Sequence, residues 1–162
     1  MVTIAIAAIL ALIALPSMRS LVERNALAGQ VNALVGAVTL TRTEAIKRNA
    51  ITILCRSDDA ETAGTPTCTN GADWKSGWIL FVDRDDNSSY NPEDGDVLLS
   101  VQGSFPKSSG ITQSIASKLV FRSTGLLQSG LSSFEFKSVS GELSRCVYVA
   151  KTGRVRTVDV GC

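Results

Sequence analysis

The stretch MVTIAIAAILALIALP, residues 1–16, is apolar except for Thr3, ends on a proline, and is followed by the first charge of the chain at Arg19. Wound as an α-helix, the fifteen residues before Pro16 cover roughly 23 Å, short of the ~30 Å hydrocarbon core of a bilayer. A cleavable secretory signal has an apolar run of this length, but no basic segment precedes it here. The helical pattern also continues beyond the proline. Met18, Leu21, Val22, Leu27, Val31, Leu34, Val35, Val38, Ala45 and Ile46 return at spacings of three and four, while Arg24, Gln30, Arg42 and Lys47 fall largely on the other side. The pattern predicts one long helix, apolar on every side over residues 1–22 and amphipathic over residues 23–49. Pro16 should kink it, Gly29 and Gly36 are further weak points, and Asn49 is its stop.

Past Asn49 the period changes from about 3.6 to 2. Short strands are predicted at residues 50–55, 77–83, 96–102, 117–123, 132–138, 145–151 and 154–160, separated by clusters of Gly, Ser, Asn, Asp and Pro. No helical pattern intervenes, so the strands should pair antiparallel as a sheet or sandwich. The expected class is α+β: a long N-terminal helix packed through its amphipathic half on a β-rich head at residues 50–162.

The chain of 162 residues has room for one core. It has no histidine, which removes the commonest general base, the Ser-His and Cys-His nucleophile pairs and the commonest zinc ligand. No catalytic constellation, cofactor or metal is predicted. The net charge of +1 hides an uneven distribution. Residues 83–96 hold six acids and one base, whereas residues 97–162 hold eight bases and three acids. The four cysteines, Cys55, Cys68, Cys146 and Cys162, contain no CxxC spacing, which argues against a zinc knuckle or a thioredoxin-type motif. Four cysteines permit three connectivities. Local pairing, Cys55 with Cys68 and Cys146 with Cys162, suits the hairpin-like segments between them and an oxidising compartment; free thiols are the alternative.

The chain ends on KTGRVRTVDVGC, residues 151–162. Two strand-like runs flank Lys151, Thr152, Gly153 and Arg154, with Gly153 able to supply the positive φ of a tight turn. Closed by a disulfide, this would be a stiff basic finger. Arg154 and Arg156 should share a face, with Lys151 joining them across the turn, although a bulge at Gly153 would shift the register. Guanidinium groups stay charged and bind phosphate in a two-pronged fashion, so such a pair suits a DNA backbone. Charges that merely guard a sheet edge are the alternative. Arg122, Lys137 and Arg145 are candidate extensions of the patch, while Arg24, Arg42, Lys47 and Arg48 are read as helix-surface charges.

In the acidic stretch, Asp83, Asp85 and Asn87 alternate as calcium ligands do in an EF-hand loop. Ser88 stands at the sixth position in place of glycine and Asp94 at the twelfth in place of glutamate, so a solvated loop is the expectation. Trp74 and Trp78 beside it could stack on bases or anchor the core.

The apolar helix broken by a proline, the amphipathic continuation TRTEAIKRN and a small β head together resemble a type IV pilin-like protein. More narrowly, WKSGWILFVDRDDN, LVFRSTGLL and the terminal TGRVR are similar to the GspH/FimT group of minor pilins and pseudopilins. The resemblance covers nearly the whole chain. Relatives carry a basic leader, a peptidase cleavage site and a Phe-Thr-Leu-Ile-Glu-type mature terminus before the run that here begins at Met1, so a late start or a truncated chain is expected. The resemblance implies an inner-membrane anchor with a periplasmic head, later built into an extracellular pilus among major and minor pilins. In the FimT branch a Gly-Arg-x-Arg motif near the C-terminus is associated with binding double-stranded DNA in natural transformation, and Gly153, Arg154, Val155 and Arg156 match it. The alternative implied role is a pilus or type II secretion tip component that primes assembly without touching DNA.

Overall fold

The computed structural model describes residues 2–71, 73–114 and 117–162, with helical side chains from Met18 onward. Helix α1 (Val2–Arg48) runs without a break through 47 residues. Of the expected all-round apolar surface over residues 1–22, the part at residues 1–17 lies outside the described side chains, as does the effect of Pro16. Among the described residues no helix is long and apolar enough to cross a membrane.

From Leu27 the helix buries one stripe: Leu27, Val31, Leu34, Val38, Thr41 and Ala45, alternately four and three apart as a single helical face requires. Met18, Leu21 and Val22 precede the packed region and stay exposed, and so does Ile46. Gln30, predicted on the polar side, is buried, its Nε2 donating to the Lys107 carbonyl at 2.8 Å. Thr41 satisfies its hydroxyl by donating to the Ala37 carbonyl, and its own carbonyl accepts the Thr52 hydroxyl at 2.7 Å, which ties the helix to the first strand. The helix stops where the sequence places its stop. Asn49 adopts φ 49°, its N–H donates to Ile46, and the Ala50 N–H reaches back to Ala45. These two bonds form a Schellman cap, which an asparagine tolerates because it enters the left-handed region more easily than most residues.

The chain then forms β1 (Ile51–Arg56), β2 (Trp78–Asp83), β3 (Val97–Gln102), β4 (Gly110–Gln113), β5 (Lys118–Phe121), β6 (Ser132–Lys137), β7 (Ser144–Val149) and β8 (Val155–Val158). All seven predicted strands are present. The additional one, β4, has four residues and is too short to show a period. Two antiparallel sheets result, ordered β3-β2-β1-β5 and β4-β6-β7-β8. The main core joins the helix stripe to Leu54, Leu80, Leu119 and Phe121 of the first sheet and to Ile111, Phe134, Phe136, Val147 and Val149 of the second. Trp74 and Trp78 lie inside it, Trp74 edge-on to Phe134 with ring centres 5.1 Å apart. Burying each such side chain contributes about 1.5–3 kcal/mol.

β2 is buried along its whole length because the far face of the first sheet is covered too. Ile53, Cys55, Ile79 and Phe81 pack there against Ala60, Cys68 and Tyr90, which explains an apolar run where a one-sided strand would alternate. The cover is held down by the Cys55–Cys68 disulfide and by Asp59. The Asp59 carboxylate accepts the Thr67 N–H at 2.9 Å, the Thr67 hydroxyl at 3.1 Å and the Ser57 hydroxyl at 2.7 Å. The bond from the Thr67 N–H, opposed by burial and aided by the two hydroxyls, holds the Asp59 carboxyl below its ordinary value. A carboxyl depressed in the folded state contributes stability that is present above its unfolded pKa, about 3.9. That contribution is lost as the pH falls through the folded value. Thermal midpoints measured from neutral to strongly acid pH should therefore fall on the acid side, and Asp59→Asn should be less stable at neutral pH and flatter across that limb. An unchanged limb in the variant would refute the assignment.

Candidate nucleic-acid interface

β7 and β8 form the C-terminal hairpin, with Cys146, Val147, Tyr148 and Val149 opposite Val158, Thr157, Arg156 and Val155. The Ala150 N–H donates to Arg154 at 2.9 Å and the Gly153 N–H to Ala150 at 2.8 Å, so the turn closes on Gly153, whose φ is 75°. The turn is not a free finger. Gly153 is buried, and a Cβ placed there would stand 2.5 Å from Arg42 Cδ and 3.1 Å from Phe121 Cε1. The hairpin tip thus sits on α1 and β5, which corrects the expected projecting shape. The neighbouring turn after β5 joins it: the Leu127 N–H donates to the Lys151 carbonyl at 2.8 Å, and Arg122 closes that turn through the Gly125 N–H.

The register sorts the basic residues by face, since directly opposed residues share a side and alternate ones do not. Val147 and Val149 face the core, so Tyr148 and its partner Arg156 face outward. Arg154, Arg156, Tyr148, Leu131, Ala150 and Val155 line one open groove of about 560 Å³, with both arginines exposed. Lys151 is exposed at the tip and Arg122 at the adjacent turn. Arg145 lies on the opposite face, where its Nε meets Asp159 at 2.8 Å beside Arg24 and Leu27. Lys137 stands on the outer face but its Nζ is 3.4 Å from Glu135. The structure therefore brings Arg154 and Arg156 together in one groove, places Lys151 at the hairpin tip and Arg122 at the adjoining turn outside the groove's lining, and leaves Lys137 and Arg145 with carboxylate partners. Among the described residues no ion pair involves Arg42, Arg122, Lys151, Arg154 or Arg156. The Cys146–Cys162 disulfide clips the tail beyond β8 back to β7.

Residues 30–153 match the family model for the type II transport protein GspH. The chain belongs to the GspH family. Its fold is similar to the type IV minor pilin FimU of Pseudomonas aeruginosa, with a TM-score of 0.59 at 17% identity, covering 84% of this chain and 90% of that one. It is also similar to the minor pseudopilin EpsH from the Type 2 Secretion System of Vibrio cholerae, with a TM-score of 0.51 at 12% identity over 80% and 94% of the two chains. No curated protein matches the sequence. Family and fold agree: this is a type IV pilin-like protein of the minor pilin and pseudopilin kind.

Two residues of this GspH-family chain gain importance that the sequence reading did not give them. Arg42, expected on the helix surface, runs beneath the hairpin turn, its Nε buried without a hydrogen-bond partner. Tyr148 lines the groove because it opposes Arg156, a signal available only once the register is known. Trp74 and Trp78 lie in the core and offer no surface to a base. In the acidic loop, oxygens of Asp83, Asp85 and Asp96 lie within 4.8 Å of one another. Asp83 accepts the Asp86 and Ser88 N–H groups and Asp96 those of Arg84 and Asn91. Burial, with the Asp85 hydrogen bond and the Asp96 charge, pushes the Asp83 carboxyl above its ordinary value despite those donors. The other EF-hand positions serve the loop itself: Asn87 bonds Asp85 and Ser89, and Asp94 accepts Asn91 Nδ2. The carboxylates hold the loop's backbone, the role expected of a solvated connection.

Proposed function

We propose that this chain is a minor pilin of a type IV pilus that binds extracellular double-stranded DNA, without base specificity, for uptake in natural transformation. In this reading residues 1–22 anchor it in the inner membrane and later in the filament core among other pilins, residues 23–49 carry the head, and residues 50–162 meet DNA outside. The observation that carries the proposal is the exposed pair Arg154 and Arg156, without a carboxylate partner among the described residues, in one groove of a disulfide-closed hairpin. Unpaired guanidinium groups can give both their charge and their N–H donors to phosphates. The work is binding and presentation; one such groove offers few phosphate contacts, so several copies supply useful avidity.

The test is fluorescence anisotropy of the full chain in non-ionic detergent with labelled duplex at several salt concentrations. Binding should weaken steeply with salt. Arg154→Gln/Arg156→Gln should lower affinity about thirtyfold and reduce the salt slope by about 2, while melting like the parent. A second reading follows from the match to the type II transport protein GspH: a pseudopilus or pilus-tip subunit that primes assembly. A chain that ignores duplex at low salt supports that reading instead.

A further inference from the structure

We infer that the groove beside Arg154 and Arg156 receives an unpaired nucleobase, so that single-stranded DNA and the open ends of a duplex are held more tightly than closed duplex. The inference rests on the DNA reading above and concerns the same groove. Phosphate binding needs only the two guanidinium groups, but the groove also has an apolar floor. Ala150 and Val155 are half-buried in it and Leu131 is 55% exposed at its edge. Tyr148 stands directly opposite Arg156 on the outward face, half-buried. Among the described residues its ring is in none of the aromatic contacts. Among the described residues no carboxylate lines the groove, and Glu135, on the same outer face, is occupied by Lys137.

A half-open aromatic ring flanked by aliphatic side chains and two uncompensated cations is the combination that binds the sugar-phosphate chain and stacks a base at once. Inside a duplex both faces of each base are already stacked, so closed duplex offers the groove its phosphates alone. An unpaired base can leave its neighbours and lie against Tyr148 while the phosphates on either side meet Arg154 and Arg156. The stacking adds to binding for every base, since each has an aromatic face, and it brings no sequence preference.

The experiment uses the full chain in non-ionic detergent with three labelled probes of equal length: oligothymidylate, closed duplex, and an abasic strand that carries the same phosphates without bases. At fixed salt, oligothymidylate should bind about tenfold more tightly than the abasic strand and more tightly than closed duplex. Tyr148→Leu should remove that advantage and leave the salt dependence intact, and Tyr148→Phe should keep it. Equal binding of oligothymidylate and abasic strand overturns the inference, and so does a Tyr148→Leu variant that keeps the advantage. In both cases duplex binding that depends on Arg154 and Arg156 would still stand. If no probe binds at low salt, the DNA reading fails and the inference with it. The comparison of probes on the unaltered chain needs no variant to fold.

Discussion

Gly77→Ala is expected to lower the denaturant midpoint steeply and to cut the yield of folded protein. Gly77 precedes β2 with φ 115°, a conformation that residues with a Cβ rarely adopt. An alanine Cβ at this position would stand 2.2 Å from the Gln102 carbonyl oxygen and 3.0 Å from the Gly103 carbonyl carbon. Both are backbone atoms at the end of β3, so no side-chain rotation relieves the overlap. Relief means pulling β2 from β3 at the Trp78 and Gln102 pair, where Trp78 enters the core. Gly77 also donates to Trp74 and accepts from Ser57, so a shift there disturbs the disulfide-bearing loop as well. The backbone strain costs about 1–3 kcal/mol, and the displaced packing brings the total to about 4 kcal/mol or more, an exceptional value for one substitution. Set against a typical stability of about 5–15 kcal/mol, this removes a large share of what holds the fold and leaves a chain at the low end of that range only marginally folded. Soluble yield and the denaturant midpoint measure it. Gly64→Ala is the control, since a Cβ there meets nothing within 4 Å. A Gly77→Ala chain that unfolds at the parent's midpoint would contradict the geometry.

Removing the second disulfide, by Cys146→Ala/Cys162→Ser, is expected to cost about 3 kcal/mol, the loop-closure entropy of a bridge across a sequence separation of 16. For a chain of this size that lowers the melting point by roughly 10 °C. The functional loss should exceed what global stability predicts. β8 is the outer strand of its sheet, has four residues and, among the described residues, pairs with β7 alone. Its far end is held by the bridge to Cys162, next to the Arg145 and Asp159 pair. Without that bridge the strand frays from its end, and Arg156 loses its fixed place opposite Tyr148. Duplex affinity should drop at temperatures where the rest of the head remains folded, which circular dichroism and anisotropy on the same sample would show. Undiminished binding by the variant would mean that β8 is held by its ladder and by the turn alone.

Most of the architecture was legible because the residues that decide it act locally. The change of period at Asn49, the glycine-bounded strands and the helix stripe each follow from spacing along the chain. β4 escaped because GITQ is too short to alternate, and Gln30 misled because its partner, the Lys107 carbonyl, lies 77 residues away. At the candidate interface, the Arg154 and Arg156 pair and the turn glycine follow from the sequence. What the chain order conceals is the far side of each contact. Arg42 lies more than a hundred residues before Gly153, and nothing in its own neighbourhood marks it as the seat of the hairpin. The opposite faces of Arg145 and Arg156 follow only from the register in which β7 pairs with β8.

The seat of Gly153 on Arg42 has a mechanical consequence. A tensile load hung on Arg154 and Arg156 is shared along two routes. One runs through the closed ring of the terminal cystine into β7, and the other through the turn's contact with Arg42 into the helix. The last hairpin is therefore fastened to the head at both of its ends, by a covalent clasp at the tail and by a packed seat at the turn.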